Sequence, residues 1–298
     1  MKKYILSVAF VLSTFALTAQ TADSVVVTKK GSWGLNLANV GLSNWAGGGE
    51  SSLALGTVFN TTVVRTKGST KWKNQIDFAL GGAKVGEQEF RKTDDAIILF
   101  SRYSKKIKSD LSYSLTGILR TQLLDGNTFA ADPINLGEEI ATKISTFMAP
   151  GYLSLNLGFD QAIGEHLSIS FAPAAGKFTF VLDDDLSAAG AYGVDAGDKV
   201  RSEFGTNFLA VIDLPIMENM SFKSSLNFFT AYDSFGNVDT NWEALLVMKV
   251  NKWFNATVGA QLIYDDDILI AQENGNLERK IQFKHVLNFG ANFALFSN

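Results

Sequence analysis

The chain has no cysteine and only 4 prolines in 298 residues. Without cysteine there is neither a disulfide framework nor a lipidated residue to hold the chain on a membrane. With so little proline and no linker-like tract, one all-β domain is a better count than two soluble domains. Long apolar runs are also missing. Beyond the first twenty residues none reaches about eighteen, and a mean hydropathy of +0.09 is too polar for a helical membrane bundle. A basic surplus is absent as well: the net charge is −4, which disfavours nucleic acid as a partner.

The ends of the chain carry the clearest patterns. Met1, Lys2 and Lys3 precede an apolar run from Tyr4 to Leu17, then Thr18, Ala19 and Gln20, which reads as a secretory signal peptide over residues 1–20. Its removal takes away two lysines and leaves residues 21–298 still more acidic. At the other end Ile281, Phe283, Leu287, Phe289, Ala291, Phe293 and Leu295 share one face of a strand, and Gln282, Lys284, Asn288 and Asn292 the other. One face suits lipid and the other water. Because every backbone group in hydrocarbon needs a partner, such a strand implies a closed antiparallel barrel in the cell outer membrane. Asn288, Gly290, Phe293 and Leu295 form the kind of C-terminal signal that barrel assembly machinery reads.

Alternating segments bounded by turn signals predict twelve strands. They run Trp33–Val40, Ser51–Arg65, Thr70–Lys84, Ala96–Ser104, Asp110–Leu123, Phe147–Phe159, Leu167–Val181, Val200–Leu214, Met220–Tyr232, Trp242–Val250, Phe254–Tyr264 and Ile281–Phe296. The first reads as short, and the fourth is apolar on both faces around Ile97–Phe100. Short connections centre on Gly68, Ile107, Ala162, Met217 and Lys252; long ones begin near Gly41, Val85, Leu124, Leu182, Asp233 and Asp265. Short periplasmic turns and longer external loops are the rule for bacterial barrels. Trp33, Trp72, Tyr113, Phe222, Trp253 and Phe296 fall at one set of strand ends and Tyr232, Trp242 and Tyr264 at the other, as two interfacial girdles would. The turn spacing is too irregular for propeller blades. The stretch Thr21–Ser32 is too short for a plug domain.

Turning the polar face inward puts Lys73, Asp77, Arg120, Arg201, Glu203, Asp213, Lys223, Glu243, Lys249 and Lys284 in the lumen. Two readings remain open: a water-filled passage for small solutes with mild anion preference, or a narrow interior closed by ion pairs. The second is favoured. Sixteen acids face four bases across 124–146, 182–199, 233–241 and 265–280, among them the runs Asp183, Asp184, Asp185 and Asp265, Asp266, Asp267. Clustered carboxylates suit a divalent cation such as calcium, but a solvated acidic rim is the preferred reading. No metal, cofactor or catalytic residue is assigned. His166 belongs to a short turn, and His285 shares the lipid face with Phe283 and Leu287, with no serine two positions on to make it a hydrolase base.

The segment Leu42, Ser43, Asn44, Trp45, Ala46, Gly47, Gly48, Gly49 resembles the signature of a Bacteroidota family known as a domain of unknown function (thirty seventy-eight). Ala149 to Tyr152, Leu167 to Phe171 with Ala172, Pro173, Gly176 and Lys177, Gly190 to Val194, and Tyr264 to Asp267 extend the likeness over the mature chain. The resemblance implies an outer-membrane barrel of unestablished role and carries over no ligand or active residue. Physically, three glycines permit positive-φ backbone, and Trp45 beside Asn44 is expected to fold a cap over the first hairpin.

Overall fold

A computed structural model describes residues 24–40, 50–135, 138–268, 270–271 and 276–297. The signal segment 1–20 and the first-loop motif Ser43, Asn44, Trp45, Gly47, Gly48 and Gly49 lie outside them. Alternating apolar and polar positions give long strands, most of which pair into a barrel. These are β1 (Val25–Val40), β2 (Ser52–Lys67), β3 (Thr70–Val85), β4 (Arg91–Lys106) and β5 (Leu111–Thr121). After the loop hairpin β6 (Gly126–Ala131) and β7 (Glu139–Ser145) come β8 (Gly151–Ile163), β9 (Leu167–Phe180) and a short helix α1 (Asp184–Ala188). Next follow β10 (Val200–Met217), β11 (Met220–Ala231), β12 (Asp239–Lys249) and β13 (Phe254–Tyr264). The two-residue strands β14 (Ile270–Ala271) and β15 (Leu277–Glu278) precede β16 (Gln282–Ser297).

Twelve of these strands close in the order β1-β16-β13-β12-β11-β10-β9-β8-β5-β4-β3-β2, every pair antiparallel. All twelve correspond to the predicted segments. Closure leaves no free sheet edge along most of the wall, which is what spanning a bilayer requires. Lys30 of β1 pairs with Ser297 at the end of β16, at the end of the barrel that carries the tight turns 68–69, 107–110, 164–166, 218–219 and 250–253.

Contacts between non-adjacent strands fix which face looks inward. Arg120 on β5 meets Glu243 on β12, and Lys284 on β16 meets Asp94 on β4, so both pairs span the bore. Counting by twos from them turns Leu155, Leu157, Phe159, Phe204, Phe283, Leu287 and Phe289 outward, and each is exposed. A shell of exposed Leu and Phe around an ion-paired interior inverts the soluble pattern and matches a lipid solvent. The chain is an outer-membrane β-barrel.

Three expectations need correction. β1 is not short: it begins at Val25, because Val25–Lys29 pairs with Val63–Lys67 of β2 below the level where β16 ends. Trp33 therefore sits within β1, although its ring lies 6.0 Å from Phe293 near the end of β16. β4 starts at Arg91 rather than Ala96, which shrinks the supposed long loop after Val85 to residues 86–90. Its first turn looked like a charged loop because Lys92, Asp94 and Asp95 are spent on ion pairs inside the barrel. The segment from Phe147 to Pro150 precedes β8 instead of opening it.

Candidate functional site

The interior is divided along the Arg120–Glu243 chord. Arg120 Nη2 donates to Glu243 Oε1 at 2.7 Å, and Gln261 Nε2 donates to the same oxygen at 2.9 Å. On one side of that line lie β8 to β11, whose inward side chains interlock. Arg102 Nε donates to Thr116 Oγ1 at 2.9 Å and faces Asp160 at 3.5 Å, and Asn207 Nδ2 donates to Asn227 Oδ1 at 2.7 Å. Ser114, Thr116 and Asn207 are buried here, around a cavity of only about 20 Å³.

On the other side the wall comes from β1 to β4, β12, β13 and β16, and it is hollow, the space also touching Tyr152 of β8 and Lys223 and Ser225 of β11. A cavity of about 660 Å³ is lined by Asp94, Ile98, Arg120, Glu243, Gln261 and Lys284. It shares Ala96, Ile98 and Leu245 with one of about 410 Å³, reaching Asn60, Asp77, Val247 and Asn288. That one in turn shares Asn36 and Gly290 with one of about 1240 Å³. Small inward residues such as Gly34, Gly56, Gly81, Ala79 and Ala96 leave this space unfilled.

Each residue expected in the lumen can be located. Lys73 lies over the Phe100 ring at 5.3 Å, and Asp77 accepts hydrogen bonds from Asn60 at 2.9 Å and Gln75 at 2.6 Å. Asp213 and Lys223 are direct cross-strand partners of β10 and β11. Arg201 pairs with Glu203 at 3.2 Å. Lys284 Nζ donates to Asp94 Oδ1 at 3.1 Å across the bore. Lys249 ends β12, exposed beside the turn. In the C-terminal ending, Asn288 and Gly290 face inward, while Phe293 and Leu295 face out.

Sequence reasoning missed the mouth. Lys177 of β9 holds Asp239 at 2.6 Å and Asp265 at 2.9 Å and faces Glu203 at 3.6 Å. Arg201 binds Asp267 as well. Carboxylate oxygens of Glu203, Asp239 and Asp267 converge within 4.8 Å of one another, with those two cations among them. The signal was available, since Lys177 shares its strand face with Thr179, but loop acids cannot be matched to strand bases by spacing. The other acids of the two runs also have partners: Asp183 and Asp185 with Lys143, Asp184 with Lys199, Asp266 with Arg279. Asp183 in addition caps α1 through Leu186 N.

Magnitudes separate the two ion-pair groups. Arg120 and Glu243 side chains are 34% and 42% exposed, so water screens them and the pair contributes at most about 1 kcal/mol. Lys177 and Glu203 are 15% and 8% exposed, and removing one partner there would strand buried charge. The central chord is therefore breakable and the mouth is fixed. Outside the spanning strands, the Lys143 ammonium and the Leu186 amide hold the Asp183 carboxyl below its usual range. The same pairing raises Lys143. Of the histidines, His166 Nδ1 lies 3.0 Å from the Asp213 carbonyl oxygen, and His285 stacks on Phe283 at 6.0 Å.

The chain is similar in structure to an outer-membrane channel from Pseudomonas putida F1, with 10% identity, a TM-score of 0.41, and 94% of this chain and 100% of that one covered. It is also similar to the Pseudomonas putida toluene transporter TodX, with 10% identity, TM-score 0.34 and coverage of 92% and 89%. A third is the translocator domain of the autotransporter NalP from Neisseria meningitidis, with 11% identity, TM-score 0.32 and coverage of 97% and 94%. No curated protein matches. In sequence, residues 37–127 match the family model described as Protein of unknown function (DUF3078), so the resemblance read from the chain holds from within β1 to the start of the β6–β7 hairpin.

Proposed function

We propose that the barrel is a narrow passive channel for small solutes, conducting along its hollow half and throttled by the Arg120–Glu243 and Lys284–Asp94 pairs. The observation that carries this reading is the contrast in the bore: connected cavities lie beside screened pairs worth at most about 1 kcal/mol each. Pairs that weak open on thermal fluctuation, so they regulate passage without sealing it. The role is non-enzymatic. Residues 1–20 serve as the export signal, and Asn288, Gly290, Phe293 and Leu295 as the ending read during barrel assembly.

Planar-bilayer recording tests the reading. Discrete conductance steps are expected from the full barrel, with larger steps and a shift toward anions in Glu243→Ala, which leaves Arg120 unpaired. Silence from both would favour a second reading, a structural or partner-binding surface barrel. The half-buried cluster of Lys177, Arg201 and four carboxylates at the mouth supports that alternative.

A further inference from the structure

The wall is not evenly closed. The ladder between β1 and β16 ends at Asn36↔Gly290, yet β1 continues to Val40 and β16 reaches back to Gln282. Continued in register, Leu37 would face Phe289 and Val40 would face Val286; among the described residues those pairs are not formed. On its far side the same part of β16 is fully laddered to β13 from Phe254↔Ala291 to Ile263↔Gln282. The two strands part while each stays paired to its other neighbour. The parting lies within the apolar band, since Phe283, Leu287 and Phe289 face outward and are exposed. Strand edges that part at membrane depth are tolerated where they line a water-filled cavity.

Such a cavity is present. The space of about 1240 Å³ is lined at this seam by Leu37 and Phe289, the first residues past the last ladder pair, and by the inward Asn36 and Gly290 beside them. Its floor is bare wall at Gly56 and Gly81. Its roof is the β6–β7 hairpin, tied down where the Arg91 guanidinium stacks on Phe129 at 4.0 Å and Lys92 donates to the Leu124 carbonyl at 2.8 Å. The lining therefore includes side chains from both faces of the wall, with leucine, phenylalanine and glycine at the seam and Arg91, Lys92, Asp125 and Asn127 under the hairpin.

We propose that the β1–β16 seam is a lateral portal, through which a small apolar solute moves between the roofed cavity and the acyl chains of the membrane. The seam selects the solute class: a molecule passing there moves between two hydrocarbon side chains, Leu37 and Phe289, into a cavity whose lining is mostly apolar, whereas an ion would be stripped of water at the seam. This route is separate from axial conduction. Either can exist without the other.

Gly56 gives a clean handle, because an added Cβ meets nothing nearer than 3.7 Å and the larger side chain grows into the cavity. The full-length barrel in amphipol is titrated with the apolar fluorophore N-phenyl-1-naphthylamine, against amphipol alone. Saturable binding is expected, retained in Gly56→Ala and weakened at least tenfold in Gly56→Phe. In a second measurement Gly56→Cys, the sole thiol in a chain without cysteine, carries a bimane label in liposomes whose acyl chains bear nitroxide. Quenching by the acyl nitroxide is expected. No saturable binding, or equal binding by wild type and Gly56→Phe, would overturn the proposal, as would a bimane quenched by aqueous iodide but not by the lipid. If Gly56→Phe does not fold, as judged by heat-modifiable gel mobility, the bimane result decides. Conductance is recorded separately, so absence of current would sink the channel reading and leave this one standing.

Discussion

Behind the Arg120–Glu243 chord the barrel is solid, and in front of it the barrel is hollow, although both halves are built from the same alternation of outward apolar and inward polar positions. The difference lies in the size and pairing of the inward residues. On β5 and β8 to β11, Thr116, Asp160, Asn207 and Asn227 and the incoming Arg102 reach one another and leave about 20 Å³. On β1 to β4, glycine and alanine at 34, 56, 79, 81 and 96 cannot reach across, and cavities remain. Binary pattern sets the fold; inward side-chain volume sets whether the fold conducts.

The largest expected effect is at the mouth of the solid half. Lys177→Met leaves Glu203, Asp239 and Asp265 without their shared cation and should destabilise the barrel by about 3 kcal/mol. Thermal unfolding followed by heat-modifiable gel mobility reads this out, and an unchanged midpoint would remove the claim that the mouth is fixed. In the hollow half, Ala96→Phe fills space shared by two cavities, so conductance should fall by more than half while the melting temperature stays near wild type. Equal damage to stability would mean that this half is packed too. Thr116→Val takes the acceptor from Arg102 Nε and should cost about 1 kcal/mol. The smallest effect concerns the contact between the β6–β7 hairpin and α1. The Asp183 carboxyl is depressed, so its contribution is complete above the ordinary carboxyl value of about 4 and is lost as pH falls through the lower folded value. Lys143 is raised, so its contribution is present below its ordinary value and fades as pH rises through the folded one. The protection of the Glu139–Ser145 amides, taken relative to their intrinsic exchange rate at each pH, should be flat between these limits and lower at acid pH.

The strands were legible because alternation is local: Leu153 to Phe159 against Ser154 and Asn156 can be read without knowing any neighbour. The charged face was legible for the same reason, and Arg120, Glu243 and Lys284 could be named as inward. Their partners could not, because Lys284 meets Asp94 and Lys177 meets Asp265 only after closure brings distant strands together. Arg91 to Asp95 read as a loop because charge there is answered from across the bore and from the β6–β7 hairpin. The two apolar faces of β4 also resolve only in the barrel: Ile97 and Leu99 meet lipid, while Ile98 and Phe100 face the cavity and the Lys73 ammonium. Nothing in the sequence near Asn36 and Gly290 announces that the ladder stops there.

Single cysteines in this cysteine-free chain test the division of the bore most directly, with a membrane-impermeant maleimide applied to the folded protein in liposomes. Ile98→Cys, inward on the hollow side, should react rapidly from water; Leu99→Cys, one residue on, should stay silent toward lipid. Thr116→Cys, inward on the solid side, should be silent too. Equal reaction rates at 98 and 116, or faster reaction at 99 than at 98, would contradict a barrel that is hollow on one side and packed on the other.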